Sequence, residues 1–94
     1  RIEIDEIEAA ILKHKDVFEA AVVVIDKSES EKEIMAAVII NKEAVIEVKD
    51  ILAHCRTVLP AYAVPQSVEL MQDFPRTGSG KIDRNEIVKT YIKA

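Results

Sequence analysis

The chain has 94 residues, 32% of them charged and 49% hydrophobic, with a formal net charge of −4. That length holds one domain with one modest core, and the composition excludes wholesale disorder. A single cysteine, Cys55, excludes a disulfide framework and a cysteine-built metal cage, and no apolar run approaches the roughly 20 residues of a membrane span.

The chain opens on Arg1 without an initiating methionine, shows no signal or transit segment, and is expected to be a piece of a longer polypeptide. A reducing, cytoplasmic compartment is the default for such a composition. The segment Ile4 to Phe18 has helical spacing, with Ile4, Ile7, Ile11 and Phe18 near one stripe. Asp5 is the expected N-cap, with Glu8 completing a capping box. Phe18 to Ile25 reads as a strand around the β-branched run Val22 to Ile25. Asp26 to Glu33 is wholly polar and forms a solvated connection without the Asn-Gly signature of a two-residue hairpin. Ile34 to Ile40 is the second strand, expected to pair antiparallel with the first.

Glu47 to Leu59 returns to helical spacing through Val48, Ile51, Leu52, Cys55, Val58 and Leu59, and Pro60 ends it. Pro60 and Pro65 prevent a regular helix between them. Ser67 to Met71 reads as a third strand and Gln72 to Gly80 as a loop. Asp83 can cap a last helix whose apolar face is Ile87, Val88, Tyr91 and Ile92. The expected order is α-β-β-α-β-α, an α+β fold with a small three-stranded sheet covered by helices.

Charge is uneven. Residues 1–75 carry 8 basic and 15 acidic side chains, and residues 76–94 carry 5 and 2. The acidic bulk argues against nucleic acid as a partner. The basic tail suits either an ordinary solvated helix or an anionic ligand near the glycines.

Only two glycines occur, Gly78 and Gly80, and they flank Ser79 just before Lys81. They allow unusual backbone geometry or close approach to a ligand beside a mobile cation. A phosphate-binding P-loop does not fit: its first glycine would fall on Pro75, and Ile82 stands where Ser or Thr should follow the lysine. A glycine turn with a solvent-exposed lysine and a functional lysine are both compatible with the spacing. The acids Glu3, Asp5, Glu6 and Glu8 read as helix-start residues rather than metal ligands. His14 and His54 have no ligand-like spacing or partner acids, Cys55 reads as core, and no catalytic triad can be assembled.

Three stretches carry a family resemblance. Arg1-Ile2-Glu3-Ile4-Asp5-Glu6-Ile7-Glu8 resembles the tail of the RGxRIExxEIE motif of the adenylate-forming superfamily. Leu59-Pro60-Ala61-Tyr62-Ala63-Val64-Pro65 resembles its LPxYMVP motif, with Ala63 at the usual Met. Pro75 to Arg84 resembles its final motif, PxTxxGKxDR. This superfamily comprises acyl- and aryl-CoA synthetases, luciferases and the adenylation domains of nonribosomal peptide synthetases.

The resemblance implies that residues 1–94 are a mobile C-terminal subdomain whose large N-terminal domain is missing. It implies a ligase that activates a carboxylic acid as acyl-AMP and passes it to a thiol, on CoA or on a carrier protein's phosphopantetheine. Lys81 is then the adenylation lysine, and Gly78, Ser79 and Gly80 position its loop. Arg1 and Glu3 contact the large domain or the pantetheine tunnel. ATP and Mg2+ bind mainly to the large domain, with no metal and no cofactor expected on the fragment, which alone is expected to be inactive. The implied partners are the large domain and CoA or a carrier protein, with no membrane. The resemblance also implies acetylation of Lys81, which would remove its charge. Lys81-Ile82-Asp83-Arg84 leans toward peptide synthetases, whereas Phe74-Pro75-Arg76-Thr77 leans toward acyl-CoA synthetases. A non-catalytic α+β interaction module keeping the fold and motifs is the alternative.

Overall fold

The computed structural model describes residues 3–93. Elements follow the expected order: α1 (Ile4–Leu12), β1 (Val17–Asp26), β2 (Lys32–Ile40), α2 (Val48–Val58), β3 (Ser67–Leu70) and α3 (Arg84–Lys93). A single 3-10 turn, Ala61–Ala63, lies between Pro60 and Pro65. The strands form one mixed sheet in the order β1-β2-β3. β1 and β2 pair antiparallel as expected, while β2 and β3 pair parallel. Parallel neighbours need a long crossover, and α2 supplies it.

The near-continuous apolar runs in β1 and β2 follow from burial on both faces. Ala20, Val22, Ile34, Ala36, Val38 and Val68 point to one side, where Ile7 and Ile11 of α1 and Ile51 and Cys55 of α2 cover them. Ala21, Val23, Ile25, Met35, Ala37 and Ile39 point to the other, where Phe74, from the segment after β3, and Ile87 of α3 close the second cluster. The period-two alternation of strand side chains sorts adjacent residues into these two clusters.

The first helix is shorter than its spacing suggests. It stops at Leu12, and the chain turns through 13–16 into β1 at Val17. A register shift lies between Val17, opposite Ile40, and Glu19, opposite Ile39. Phe18 is the extra residue of this bulge and is 63% exposed, so it belongs neither to the helix stripe nor to the core. The N-cap of α1 is Glu3 rather than Asp5. Glu8 does not close a capping box with Asp5; its carboxylate instead accepts the Val22 N–H at 2.7 Å and the Arg84 guanidinium at 2.7 Å. The reciprocal acid appears at α2, where Asp50 accepts the Glu47 N–H at 2.8 Å.

β1 and β2 also run further toward the polar connection than their apolar residues indicate. They pair out to Asp26 and Lys32, an ion pair at 2.7 Å. The residual turn is closed by the Lys27 N–H to the Glu31 carbonyl, 2.9 Å. α2 ends as expected: Leu59 is extended (φ −122, ψ 149) before Pro60.

Candidate functional site around Lys81

The segment expected as a loop is a small hairpin. Arg76 and Ile82 form an antiparallel bridge. The Thr77 N–H donates to the Lys81 carbonyl at 2.8 Å, and the Gly80 N–H donates to the Thr77 carbonyl at 2.9 Å. The Thr77 and Ser79 hydroxyls lie 3.0 Å apart across the tip. At the base, the Asp83 N–H donates to the Pro75 carbonyl at 2.8 Å, and the Asp83 carboxylate then caps α3 by accepting the Glu86 N–H at 3.1 Å. Buried Phe74 and half-buried Ile82 fasten the hairpin to the cluster under α3.

The two glycines play different parts. Gly80 has φ +88, the left-handed region that favours glycine, and is the residue that closes the turn. Gly78 has no positive φ, and a Cβ built on it meets nothing within 4 Å. Lys81 follows directly and is exposed. Among the described residues no hydrogen bond or ion pair holds its ammonium, so the hairpin presents a fixed backbone with a free cation at its edge.

Arg76 braces this hairpin. Its Nη2 stands 3.0 and 3.1 Å from the two Glu19 carboxylate oxygens on β1, and its Nη1 stands 3.5 Å from the Gly80 carbonyl. In the sequence Arg76 stands out only as part of a motif, and Glu19 does not stand out at all. The available signal is a lone charge inside the apolar run from Val17 to Ile25.

Glu3 is exposed at the N-cap of α1, while Arg1 lies outside the described residues. α1, whose N-cap is Glu3, packs on the sheet face opposite the one that holds the Lys81 hairpin. Phe18 and Leu70, both exposed, line a groove with Ile39, Ile40 and Met71 at one end of the sheet.

The histidines, distant in sequence, meet in space. Their rings are edge to face with centroids 5.1 Å apart. His54 Nε2 donates to the Ala10 carbonyl at 2.8 Å, and His14 Nδ1 accepts the Asp16 N–H at 3.0 Å. Both rings thus serve the contact between α1 and α2. Among the described residues no three His, Cys, Asp or Glu side chains converge as metal ligands.

Residues 6–81 match the family model of the AMP-binding enzyme C-terminal domain. The chain belongs to that family. This C-terminal domain is shared by the relatives it resembles. It is 39% identical over 89 residues to the peroxisomal trans-cinnamate:CoA ligase of Petunia hybrida, covering 92% of this chain and 16% of that protein. It is 34% identical over 87 residues to the dimodular nonribosomal peptide synthase of Bacillus subtilis, covering 93% of this chain and 4% of that protein. The amide bond synthetase McbA from Marinactinospora thermotolerans superposes with a TM-score of 0.87 at 28% identity, over 96% of this chain and 18% of that one. The C-terminal domain described here therefore spans less than a fifth of each of these proteins. By name they are a CoA ligase, a nonribosomal peptide synthase and an amide bond synthetase, so both families suggested by the last motif are represented. Among the described residues no helix is long and apolar enough to cross a membrane.

Proposed function

We propose that residues 1–94 are the mobile C-terminal subdomain of an AMP-forming acid–thiol ligase and that Lys81 is its adenylation lysine. The observation that carries this reading is an exposed, unpaired ammonium on a braced hairpin within the C-terminal domain family of AMP-binding enzymes.

The chemistry fits the residue. A carboxylate and a triphosphate repel each other as they meet. A cation brought between them stabilises the charge that develops in the transition state. ATP supplies the electrophilic phosphorus and the pyrophosphate leaving group, held with Mg2+ mainly by the large domain. The task of this chain is to deliver the Lys81 ammonium to the carboxylate and phosphate oxygens and to exclude water while it is there. Gly80 and the Thr77 to Lys81 hydrogen bond keep the delivering backbone narrow and rigid.

The acyl group then passes to a thiol, on CoA or on a carrier protein, after the subdomain turns to present its other face. The attachment of Glu3 and Lys81 to opposite faces of the sheet supports this division, with Arg1 and Glu3 serving the thiol-transfer pose. The groove beside Phe18 and Leu70 supports docking against a larger apolar partner, the enzyme's own large domain. A cytoplasmic setting fits the single buried thiol.

The test is ATP–pyrophosphate exchange by the full-length ligase, wild type against Lys81→Ala. The reading requires a loss of roughly two to three orders of magnitude. An unchanged rate would establish the chain as a non-catalytic interaction module.

A further inference from the structure

The bulge at Phe18 changes where Glu19 points. In an unbroken strand Val17, Glu19 and Ala21 would share a face. Here Val17 belongs to the cluster under α1 and α2, whereas Ala21 belongs to the cluster under α3. The extra residue therefore turns Glu19 onto the α3 face, the one to which the Lys81 hairpin is fastened.

On that face the Arg76 guanidinium meets both Glu19 oxygens at 3.0 and 3.1 Å. Its other nitrogen faces the Gly80 carbonyl, half of the peptide bond that leads into Lys81. One planar, rigid group thus connects a sheet strand to the backbone immediately before the lysine. Both partners remain partly exposed, at 40% and 30%, so the pair adds little to global stability. Its effect is on geometry. The hairpin is otherwise fastened to the domain at its base, where Phe74 and Ile82 pack into the cluster under α3.

We infer that Glu19 and Arg76 are positioning residues for Lys81, fixing the angle at which its hairpin leaves the sheet. The inference rests on the adenylation role given to Lys81 above. Small displacements of a reacting group are costly, so loosening this brace lowers the rate of the step Lys81 serves and no other.

The experiment uses the full-length ligase with Arg76→Ala, Glu19→Gln and Lys81→Ala. Three readouts are compared: ATP–pyrophosphate exchange, thiol transfer from supplied acyl-adenylate, and hydrogen–deuterium exchange at the Thr77 and Gly80 amides. Arg76→Ala and Glu19→Gln are each expected to lower adenylation kcat by about ten- to a hundredfold. They are expected to leave thiol transfer unchanged and to speed exchange at the two hairpin amides. Equal losses in both half-reactions, or unchanged hairpin exchange, would overturn the positioning role. If Lys81→Ala abolishes adenylation while Arg76→Ala and Glu19→Gln leave it intact, the brace alone is refuted. If Lys81→Ala itself leaves adenylation intact, the underlying reading falls and this inference falls with it.

Discussion

The Glu8 carboxylate lies 2.7 Å from the Arg84 guanidinium, 76 residues away in sequence, and uses the same oxygen to accept the Val22 N–H at 2.7 Å. β1 is an edge strand, and Val22 is fully buried. Glu8 therefore closes an outward-facing backbone group while tying α1 to the first residue of α3. The two partners should respond unequally to mutation. Glu8→Ala strands the Val22 donor and is expected to destabilise the protein by about 1–3 kcal/mol. Arg84→Ala removes only the half-exposed end of the pair and is expected to cost less than about 1 kcal/mol. Urea unfolding of the two variants checks this, and equal losses would contradict it.

The two glycines give a second asymmetry. Gly80→Ala places a side chain at φ +88, where an L-residue is strained, although the space around it is open. The expected cost is roughly 1–2 kcal/mol, felt locally as faster exchange of the Gly80 amide. Gly78→Ala has neither a positive φ nor a neighbour within 4 Å and should leave folding unchanged. If Gly78→Ala nevertheless lowers adenylation in the full-length ligase, the requirement for glycine there comes from the close approach of another surface. Thermal melts alongside pyrophosphate exchange separate the two effects.

Where elements are governed by local rules, the sequence is a good guide. Pro60 stops α2, Asp83 caps α3, and the β-branched run makes β1. The lysine hairpin is visible as a glycine pair. What local rules do not supply depends on tertiary contact. Phe18 fits a helical stripe by spacing, but a bulge sends it to solvent. Glu8 has the position of a capping acid, yet Val22 and Arg84 claim its carboxylate. His14 and His54 are 40 residues apart and meet only because α1 and α2 pack side by side on one sheet face. Glu19 shows in the sequence only as a lone charge in an apolar run, because the face it occupies depends on a register shift, and register is a property of the strand pair.

Cys55 is fully buried on the inner face of α2, and burial pushes its thiol above the ordinary value. The thiolate is the reactive form, so this residue should be inert in the native protein at neutral pH. Reaction with a chromophoric disulfide reagent should be slow in buffer and fast and stoichiometric in denaturant. Rapid labelling without denaturant would show that α2 opens readily from the sheet.

At the far end of the sheet from the lysine hairpin, Glu33 gathers contacts from three other elements. Lys27 in the turn stands 2.7 Å from its carboxylate, the Ser67 hydroxyl of β3 donates at 2.8 Å, and the Tyr91 hydroxyl of α3 lies at 3.0 Å. The Lys27 ammonium first, and then the Ser67 hydroxyl, hold the Glu33 carboxyl below its ordinary value. A carboxylate with a depressed folded pKa adds stability that is complete above the unfolded value, about 4.3. That contribution is lost as pH falls through the lower folded value. Glu33→Gln keeps an acceptor for Ser67 and Tyr91 but removes the ion pair with Lys27. The variant should be less stable than the wild type at pH 7, and the gap should narrow as pH falls below about 4. Unfolding midpoints measured from pH 7 down to pH 3 test the slope, and a gap that stays constant across that range would rule out Glu33 as the source.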